Sequence, residues 1–249
     1  MNAMEFDEVA LQKVREDRLL IDELDRWLYD EIRPFFGQRV LDVGCGLGNF
    51  ARHLTAKDLY IGTDVSPASV AAVNKTYGAY PNMHAQVANA TDPRFRKFKR
   101  FEIDTVFSLN VFEHIDDHET ALENVAYVLK PGGVLILVVP AHKWLYGSID
   151  RSIGHYRRYD MTLLAEMFRE VGINCVKLKY INALGAVGWF ANGRVRRQDT
   201  PPSGQLKLFN KLVPLIRRFE SLVPVPFGIS LLAVARKGSS LAPELNGKS

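Results

Sequence analysis

The chain has 249 residues, which is enough for one large domain. Hydrophobic residues make up 47% of it and charged residues 24%, the balance of a folded protein and not of a disordered one. The net charge of +4 is too small to identify a nucleic acid or membrane partner, and two cysteines are too few for a disulfide framework. No secretory signal pattern and no apolar run of about 18 residues is visible, so we expect a cytoplasmic protein, peripheral to a membrane at most.

The predicted elements alternate along the chain. Segment 5–36 has apolar residues at helical spacing and predicts an N-terminal helical cap. Helical stretches, such as Pro67–Tyr77 and His118–Leu129, separate most of the β-rich runs that follow, and this alternation predicts a parallel sheet with helices on both faces. The β-rich runs are 39–43, 59–63, 83–87, 103–109, 134–139, 174–181 and 230–236.

A glycine-rich bend follows the first predicted strand, in the segment Asp42-Val-Gly-Cys-Gly-Leu-Gly-Asn49. Alternate glycines let the backbone bend sharply and let a ligand lie against it at the start of a helix. A nicotinamide dinucleotide would require glycine at position 49, where Asn49 stands. Asp42 suits a ligand with an ammonium and a sulfonium, and Asp64, at the end of the second strand, can accept hydrogen bonds from both ribose hydroxyls. These charges favour S-adenosylmethionine.

On these residues, segment 38–140 resembles the class I S-adenosylmethionine-dependent methyltransferases, close to the small-molecule branch that includes ubiquinone-type O-methyltransferases. The third motif of that family commonly reads Gly-Asp-Ala, whereas this chain has Ala88-Asn89-Ala90, so Asn89 stands where an acid near adenine is expected. The fourth motif is similar to Ser108–Ile115, and Lys130–Gly133 fits the turn before the fifth strand. The resemblance implies that Leu109 and Asn110 border the cofactor and that His114 faces it.

The resemblance also implies the architecture and the cofactor. The expected fold is a Rossmann-like α/β fold with a seven-stranded, mostly parallel sheet, helices on both faces, an antiparallel last strand and a helical insertion before that strand. The expected cofactor is S-adenosyl-L-methionine, with S-adenosyl-L-homocysteine as product. The residues expected to bind it are Asp42, Gly44, Cys45, Gly46, Gly48, Asn49, Asp64, Val65, Asn89, Ala90, Leu109, Asn110 and His114.

We expect residues 1–237 to form a single methyltransferase domain followed by a flexible tail, 238–249. Within it, segment 38–140 is the predicted cofactor-binding core, 141–160 a substrate loop, and 182–229 a helical insertion or lid. The insertion carries apolar residues at helical spacing between Leu206 and Leu222, interrupted by Pro214. This pattern fits a helix that packs on the sheet or on another subunit, and it also fits a membrane-surface helix that admits a lipid-like substrate.

The loop after the fifth strand is the place to look for the acceptor, because ligands bind at the carboxyl ends of parallel strands. It is dense in histidine, tyrosine and arginine, which suits a site that stacks on a substrate and holds an anionic group. A hydroxyl acceptor needs a base, and the candidates in order are His155, Tyr146 and His142, ahead of His114. The residues expected to contact the substrate are Trp144, Tyr156, Arg157 and Arg158. The same aromatics and arginines could instead seal the loop onto the protein body.

Two further patterns receive simpler interpretations. Histidines 114 and 118 could suggest a metal, but Asp116 or Asp117 is better explained as the cap of the helix that follows, so no metal is predicted. The basic stretch Arg94–Arg100 could suggest nucleic acid, but a solvated loop is the simpler explanation. Enzymes that methylate base nitrogens usually carry Pro-Pro-aromatic after the fourth strand, which Leu109–Phe112 does not resemble.

The sequence thus predicts a methyltransferase that acts on a hydroxyl, less readily on nitrogen or carbon, of a small-molecule or lipid-linked metabolite. It predicts no DNA partner, and it leaves open a monomer or a homodimer and peripheral membrane contact through residues 206–222. Two alternatives remain open at this point: a cofactor-binding protein without catalysis that serves interaction or regulation, and an RNA methyltransferase.

Overall fold

The structure is a computed structural model that describes residues 22–223 and 225–238. The part of the predicted helical cap before residue 22 and the predicted tail from residue 239 lie outside the described residues. The proposed domain boundaries stay predictions.

Seven strands form one sheet in the order β3-β2-β1-β4-β5-β7-β6. Strand β7 runs antiparallel to both of its neighbours, β5 and β6, and the other strand pairs are parallel. The predicted α/β fold, with its antiparallel last strand and the helices before it, is therefore confirmed. The strands are β1 (Arg39–Val43), β2 (Leu59–Asp64), β3 (Met83–Val87), β4 (Thr105–Leu109), β5 (Val134–Pro140), β6 (Ile173–Ile181) and β7 (Ser230–Lys237).

Helices cover both faces of this sheet. Short 3-10 turns and one π-helical turn, Ala191–Val195, connect several of the elements. The α-helices among the described residues are α1 (Asp22–Ile32), α2 (Pro67–Tyr77), α3 (His118–Val128), α4 (Ser148–Ser152), α5 (Met161–Glu170), α6 (Ala183–Phe190) and α7 (Ser203–Leu222). No helix of the described part of the chain is long and apolar enough to cross a bilayer.

Strand β5 shows why the core has two halves. Every residue of Val134–Pro140 is buried, and the side chains alternate between two hydrophobic clusters. Leu135 and Leu137 contact the cluster that includes α3 and α5, whereas Ile136 and Val138 contact the cluster that includes α1 and α7. Such a strand is apolar throughout because both faces of the sheet are covered.

The order of the strands determines where a ligand can bind. The chain leaves β1 for β2 and β3 on one side, then returns to β4 on the other side of β1. The carboxyl ends of the parallel strands β1 to β4 meet at one edge of the sheet, and the change of direction beside β1 leaves a crevice there. The loops that follow Val43, Asp64, Val87 and Leu109 therefore surround one place.

Three local expectations differ from the structure. Strand β4 begins at Thr105 and not at Ile103, which is buried just before it. The basic stretch is a 3-10 helix, Pro93–Phe101, whose aromatic residues Phe95 and Phe98 enter the core. Pro214 does not interrupt α7, which is continuous over 20 residues.

Candidate active site

The glycine bend after β1 has the backbone shape that only glycine adopts without strain. Gly44, Gly46 and Gly48 have φ angles of +80°, +50° and +78°. A Cβ atom on Gly44 would lie 2.3 Å from a methyl group of Val111, so this position also requires glycine for space. A Cβ atom on Gly46 would meet no protein atom within 4 Å. Gly46 therefore faces open space, where a ligand can approach the backbone.

Asp64 connects this bend to the end of β2. Its carboxylate accepts hydrogen bonds from the backbone N–H of Gly46 and from that of Ser66, both at 2.9 Å. Each carboxylate oxygen keeps a second lone pair for a further donor. The neighbouring Val65 leaves 59% of its surface exposed. The carboxylate is thus held in place at the crevice by the loop that it faces.

Asp42 lies deeper, at the end of β1. It is only 4% exposed, and one carboxylate oxygen accepts a hydrogen bond from the hydroxyl of Tyr60 at 2.8 Å. Burial raises the pKa of Asp42 to about 8, against the opposing effect of the Tyr60 hydrogen bond. An acid with this pKa gains from a cation placed beside it. The open face of Gly46 and these two acids therefore fit a cationic nucleoside such as S-adenosylmethionine.

The other predicted cofactor residues lie along the same edge of the sheet. Cys45 is buried, which raises the pKa of its thiol and keeps it unreactive. Asn89 follows β3 and is exposed, with its side-chain oxygen accepting hydrogen bonds from the N–H and hydroxyl of Thr91 at 3.0 Å. Asn110 follows β4 with a φ of +54°. Of the remaining ones, Asn49 lies in the bend, Ala90 follows β3, Leu109 is the last residue of β4, and His114 lies in the turn after β4.

Segment 141–160 contacts the motif after β4 directly. The backbone N–H of Tyr156 donates to the carbonyl of Glu113 at 2.8 Å, and the hydroxyl of Tyr159 donates to the carbonyl of Phe112 at 3.0 Å. Arg157 reaches the carbonyls of Ile115 and Asp116. The predicted substrate loop is thereby fixed beside the motif that is expected to border the cofactor.

His155 lies between two acids. Its Nδ1 is 2.9 Å from a carboxylate oxygen of Asp150, and its Nε2 is 3.7 Å from Oε1 of Glu113. The side chain of His155 is 7% exposed, and its ring packs edge-on against the exposed His114, with 4.7 Å between ring centres. Nδ1 is thus directed at Asp150, and Nε2 is directed at Glu113 of the motif after β4.

Asp150 organises this part of the loop. One of its oxygens accepts from Nε of Arg158 at 2.8 Å, and the other accepts from Nε1 of Trp189 at 3.1 Å and from the backbone N–H of Gly147 at 2.9 Å. Burial favours a raised pKa for Asp150, but the hydrogen bond with His155 and the contacts with Arg158 outweigh it and hold the pKa at about 2. Asp150 is therefore a carboxylate at neutral pH, and it orients the ring of His155.

The two predicted anion-binding arginines have different surroundings. Arg158 is 2% exposed, and besides Asp150 it donates to the carbonyl of Ala141 at 3.0 Å. Its burial places it behind the loop, where it holds Asp150, and a direct substrate contact is not supported. Arg157 is partly exposed and keeps a side facing solvent, although its guanidinium holds the loop after β4. A role of Arg157 at the substrate stays a prediction.

The remaining loop candidates fall into two groups. Trp144 and Tyr156 are about half exposed, at 50% and 48%, and can offer aromatic surface to a ligand. Tyr146 donates its hydroxyl to the carbonyl of His155 at 2.8 Å, so it braces the histidine. His142 stacks against Tyr180 with 4.4 Å between ring centres, and burial lowers its pKa. The structure thus brings His155 and Tyr146 together and places His142 on the other side, near β6.

The sequence did not single out Glu113 and Asp150, although both are fully buried acids of the candidate site. Asp150 lies five residues before His155 in the sequence. Spacing predicts which side chains meet in a helix or a strand but not in a loop, so the sequence could not pair these two residues. Glu113, His114 and His155 bring potential metal-ligand atoms within 4.8 Å of one another. Asp117 accepts from the N–H of Thr120 at 3.0 Å as the cap of α3, which confirms the simpler explanation of that acid.

The order and directions of the strands are those of a Rossmann-like fold. Comparison with known proteins agrees, since a family described as a methyltransferase domain matches residues 41–137. The YcgJ protein of Bacillus subtilis is 18% identical and superimposes with a TM-score of 0.60 over 86% of this chain and 99% of its own.

Two curated relatives are similar to part of this chain. An O-methyltransferase of Aspergillus nomiae is 33% identical over 49% of this chain and 56% of its own length. The chloroplastic tocopherol O-methyltransferase of Arabidopsis thaliana is 33% identical over 43% of this chain and 31% of its own length. The matches therefore span about half or less of the relatives. The resemblance to methyltransferases seen in the sequence is confirmed for residues 41–137, which match a methyltransferase domain.

Proposed function

We propose that this protein transfers the methyl group of S-adenosylmethionine to a hydroxyl of a small or lipid-linked metabolite. The observation that carries the proposal is the open glycine bend at Gly46, bordered by the fixed carboxylate of Asp64 and the buried acid Asp42. The names of the two O-methyltransferase relatives support oxygen as the acceptor atom.

The binding roles follow from charge and space. Asp64 would accept the ribose hydroxyls, and Asp42 would face the ammonium group, whose positive charge would offset the energetic cost of burying an ionised carboxylate. Val65 offers an apolar surface for adenine. When bound, S-adenosylmethionine supplies a methyl group on a positively charged sulfur. The protein then has mainly to align the acceptor, because positioning contributes much of the rate of such a transfer.

His155 is the proposed base, and Asp150 its positioning residue. The carboxylate of Asp150 keeps the proton on Nδ1, so that Nε2 can accept the proton of the acceptor hydroxyl. Arg158 and Trp189 hold Asp150 in turn. A base raises the rate typically by about 10² to 10⁴-fold.

Transfer of labelled methyl from S-adenosylmethionine to lipid and metabolite extracts tests the proposal. Asp64→Asn should weaken binding of S-adenosylhomocysteine by calorimetry, whereas His155→Ala should leave that binding intact and slow turnover by at least about 100-fold. His84→Ala, on the exposed side of β3, is the matched histidine control. If Asp64→Asn binds S-adenosylhomocysteine as the unchanged protein does, Asp64 does not bind the ribose. If His155→Ala keeps full turnover, His155 is not the base.

Treatment with EDTA tests whether His155 acts as a base or as a metal ligand. Glu113, His114 and His155 have the side chains of a metal site, so a role of His155 through a metal would make turnover sensitive to EDTA. We expect turnover after EDTA treatment and desalting to equal that of untreated enzyme. Loss of activity that added divalent metal restores would contradict the assignment of His155 as base.

A further inference from the structure

Helix α7 has two apolar faces and not one. Phe209, Val213 and Ile216 pack against the core cluster that includes α1, as the apolar face of a surface helix does. Leu208, Leu212, Leu215, Phe219 and Leu222 form a second face, called here the outer stripe, and are 60%, 37%, 67%, 59% and 75% exposed. On an ideal helix these five side chains fall within about 80° of one another. A stripe of this regularity is not explained by packing within the domain.

The charges beside the outer stripe are all positive. Lys207, Lys211 and Arg218 are exposed and lie on one flank of it, about 60° to 100° from its centre on an ideal helix. Glu220 is the single acid of α7, and it is 4% exposed because its carboxylate accepts from the backbone N–H groups of Asn182 and Ala183. Arg217 faces the protein body, where it pairs with Asp30 of α1. The solvent side of α7 is thus apolar and cationic.

Helix α6, which contacts both α7 and the predicted substrate loop, also exposes apolar side chains. Helix α7 contacts its neighbours near each of its own ends. Gln205 accepts a hydrogen bond from Asn192 in the π-helical turn after α6, and Glu220 accepts one from the backbone N–H at the start of α6. Helix α6 exposes further apolar side chains, and the ring of Phe190 lies 5.9 Å from that of the exposed Trp144 in the substrate loop. The apolar residues exposed on α6 are Leu184, Val187 and Phe190.

Two occupants could cover such a stripe, and charge distinguishes them. In a two-fold antiparallel pair of α7 helices, Lys211 and Arg218 would face the same cations of the second copy across the seam, which is unfavourable. A bilayer with anionic headgroups instead buries the apolar side chains and attracts the flanking cations. We propose that the outer stripe docks the protein on the surface of an anionic phospholipid bilayer, with the substrate loop nearby. This inference does not depend on the methyl transfer proposed above.

Flotation with phospholipid vesicles tests the docking. The protein should float with vesicles of mixed phosphatidylcholine and phosphatidylglycerol, bind phosphatidylcholine alone much more weakly, and dissociate when salt rises from about 0.1 M to about 1 M. Exchange of Lys207, Lys211 and Arg218 together for glutamine should reduce partitioning on the order of 100-fold. The matched control exchanges three other exposed cations, Arg94, Lys97 and Arg100, and should partition as the unchanged protein does.

A second pair of variants tests the apolar contribution. Leu215→Ser with Phe219→Ser should abolish flotation, whereas Tyr80→Ser with Val176→Ser, which removes two exposed apolar side chains elsewhere, should not. Binding of S-adenosylhomocysteine and circular dichroism report whether each variant is folded. Equal flotation of the α7 variants and their controls would overturn the proposal. The proposal would also be overturned if light scattering showed a dimer for the unchanged protein and a monomer for Leu215→Ser with Phe219→Ser. The stripe would then join two copies of this chain.

Discussion

Alanine substitutions at Gly46 and Gly132 can distinguish the effect of backbone strain from the effect of filling the space that a bound cofactor would need. Gly132, in the turn before β5, has a similar left-handed φ of +76°, and a Cβ atom there also meets no protein atom within 4 Å. The two positions therefore carry the same local cost for alanine. They differ only in that Gly46 borders the crevice.

We expect Gly46→Ala to weaken binding of S-adenosylhomocysteine by at least about tenfold, or about 1.4 kcal/mol, because the added methyl group takes the space of the ligand. Gly132→Ala should bind it as the unchanged protein does. Calorimetry measures both. Equal affinities of the two variants would mean that the ligand does not approach Gly46.

Asp42 should make the binding of S-adenosylhomocysteine depend on pH. Its pKa of about 8 means that the buried acid is mostly protonated at neutral pH and must ionise to face an ammonium group. Affinity should therefore rise with pH, by at most about tenfold per unit, and level off near pH 8. Asp42→Asn should bind more weakly and with a flat profile. The same slope in both proteins would show that another group is responsible.

At the scale of elements, segment 141–160 is organised by a buried ion pair. Asp150 and Arg158 are both inaccessible, so the removal of one leaves the other uncompensated inside the protein. Asp92 and Arg94 form an ion pair of the same types on the surface. The two pairs offer a direct comparison of buried and exposed charge.

Asp150→Ala should lower the free energy of unfolding by about 3 kcal/mol in urea titrations. Arg94→Ala breaks the surface pair but keeps Asp92 as the cap of its 3-10 helix, and it should leave the free energy of unfolding unchanged within error, because an exposed pair contributes little. The double variant Asp150→Ala with Arg158→Met should recover part of the loss, since no unpaired charge then remains. A loss for Arg94→Ala as large as that for Asp150→Ala would contradict this account.

For the whole molecule, the cofactor should act as a stabiliser of the fold. A ligand at 100 times its dissociation constant adds about 2.7 kcal/mol to the free energy of unfolding. For a chain of this length, that corresponds to a rise in Tm of about 5 to 10 °C. S-adenosylhomocysteine should produce this rise in thermal melts and NAD should not. A rise with NAD alone would mean that the crevice binds a dinucleotide.

The sequence by itself determined the strands, their alternation with helices and the place of the crevice beside β1. These depend on local signals: the apolar run of β5, the glycines at 44, 46 and 48, and an acid at the end of each of the first two strands. Parallel strands bring their carboxyl ends together whatever the rest of the chain does, so Asp42 and Asp64 could be placed near each other without coordinates.

Only the tertiary structure decided how the loop and insertion residues are used. Arg157 and Arg158 are adjacent and chemically equal in the sequence, yet Arg158 is buried against Asp150 and Arg157 lies at the surface. The outer stripe of α7 is likewise distinguished from the packed stripe only by what α1 and the sheet cover. Such partners come from distant parts of the chain, and no periodicity within one segment encodes which side chain meets which.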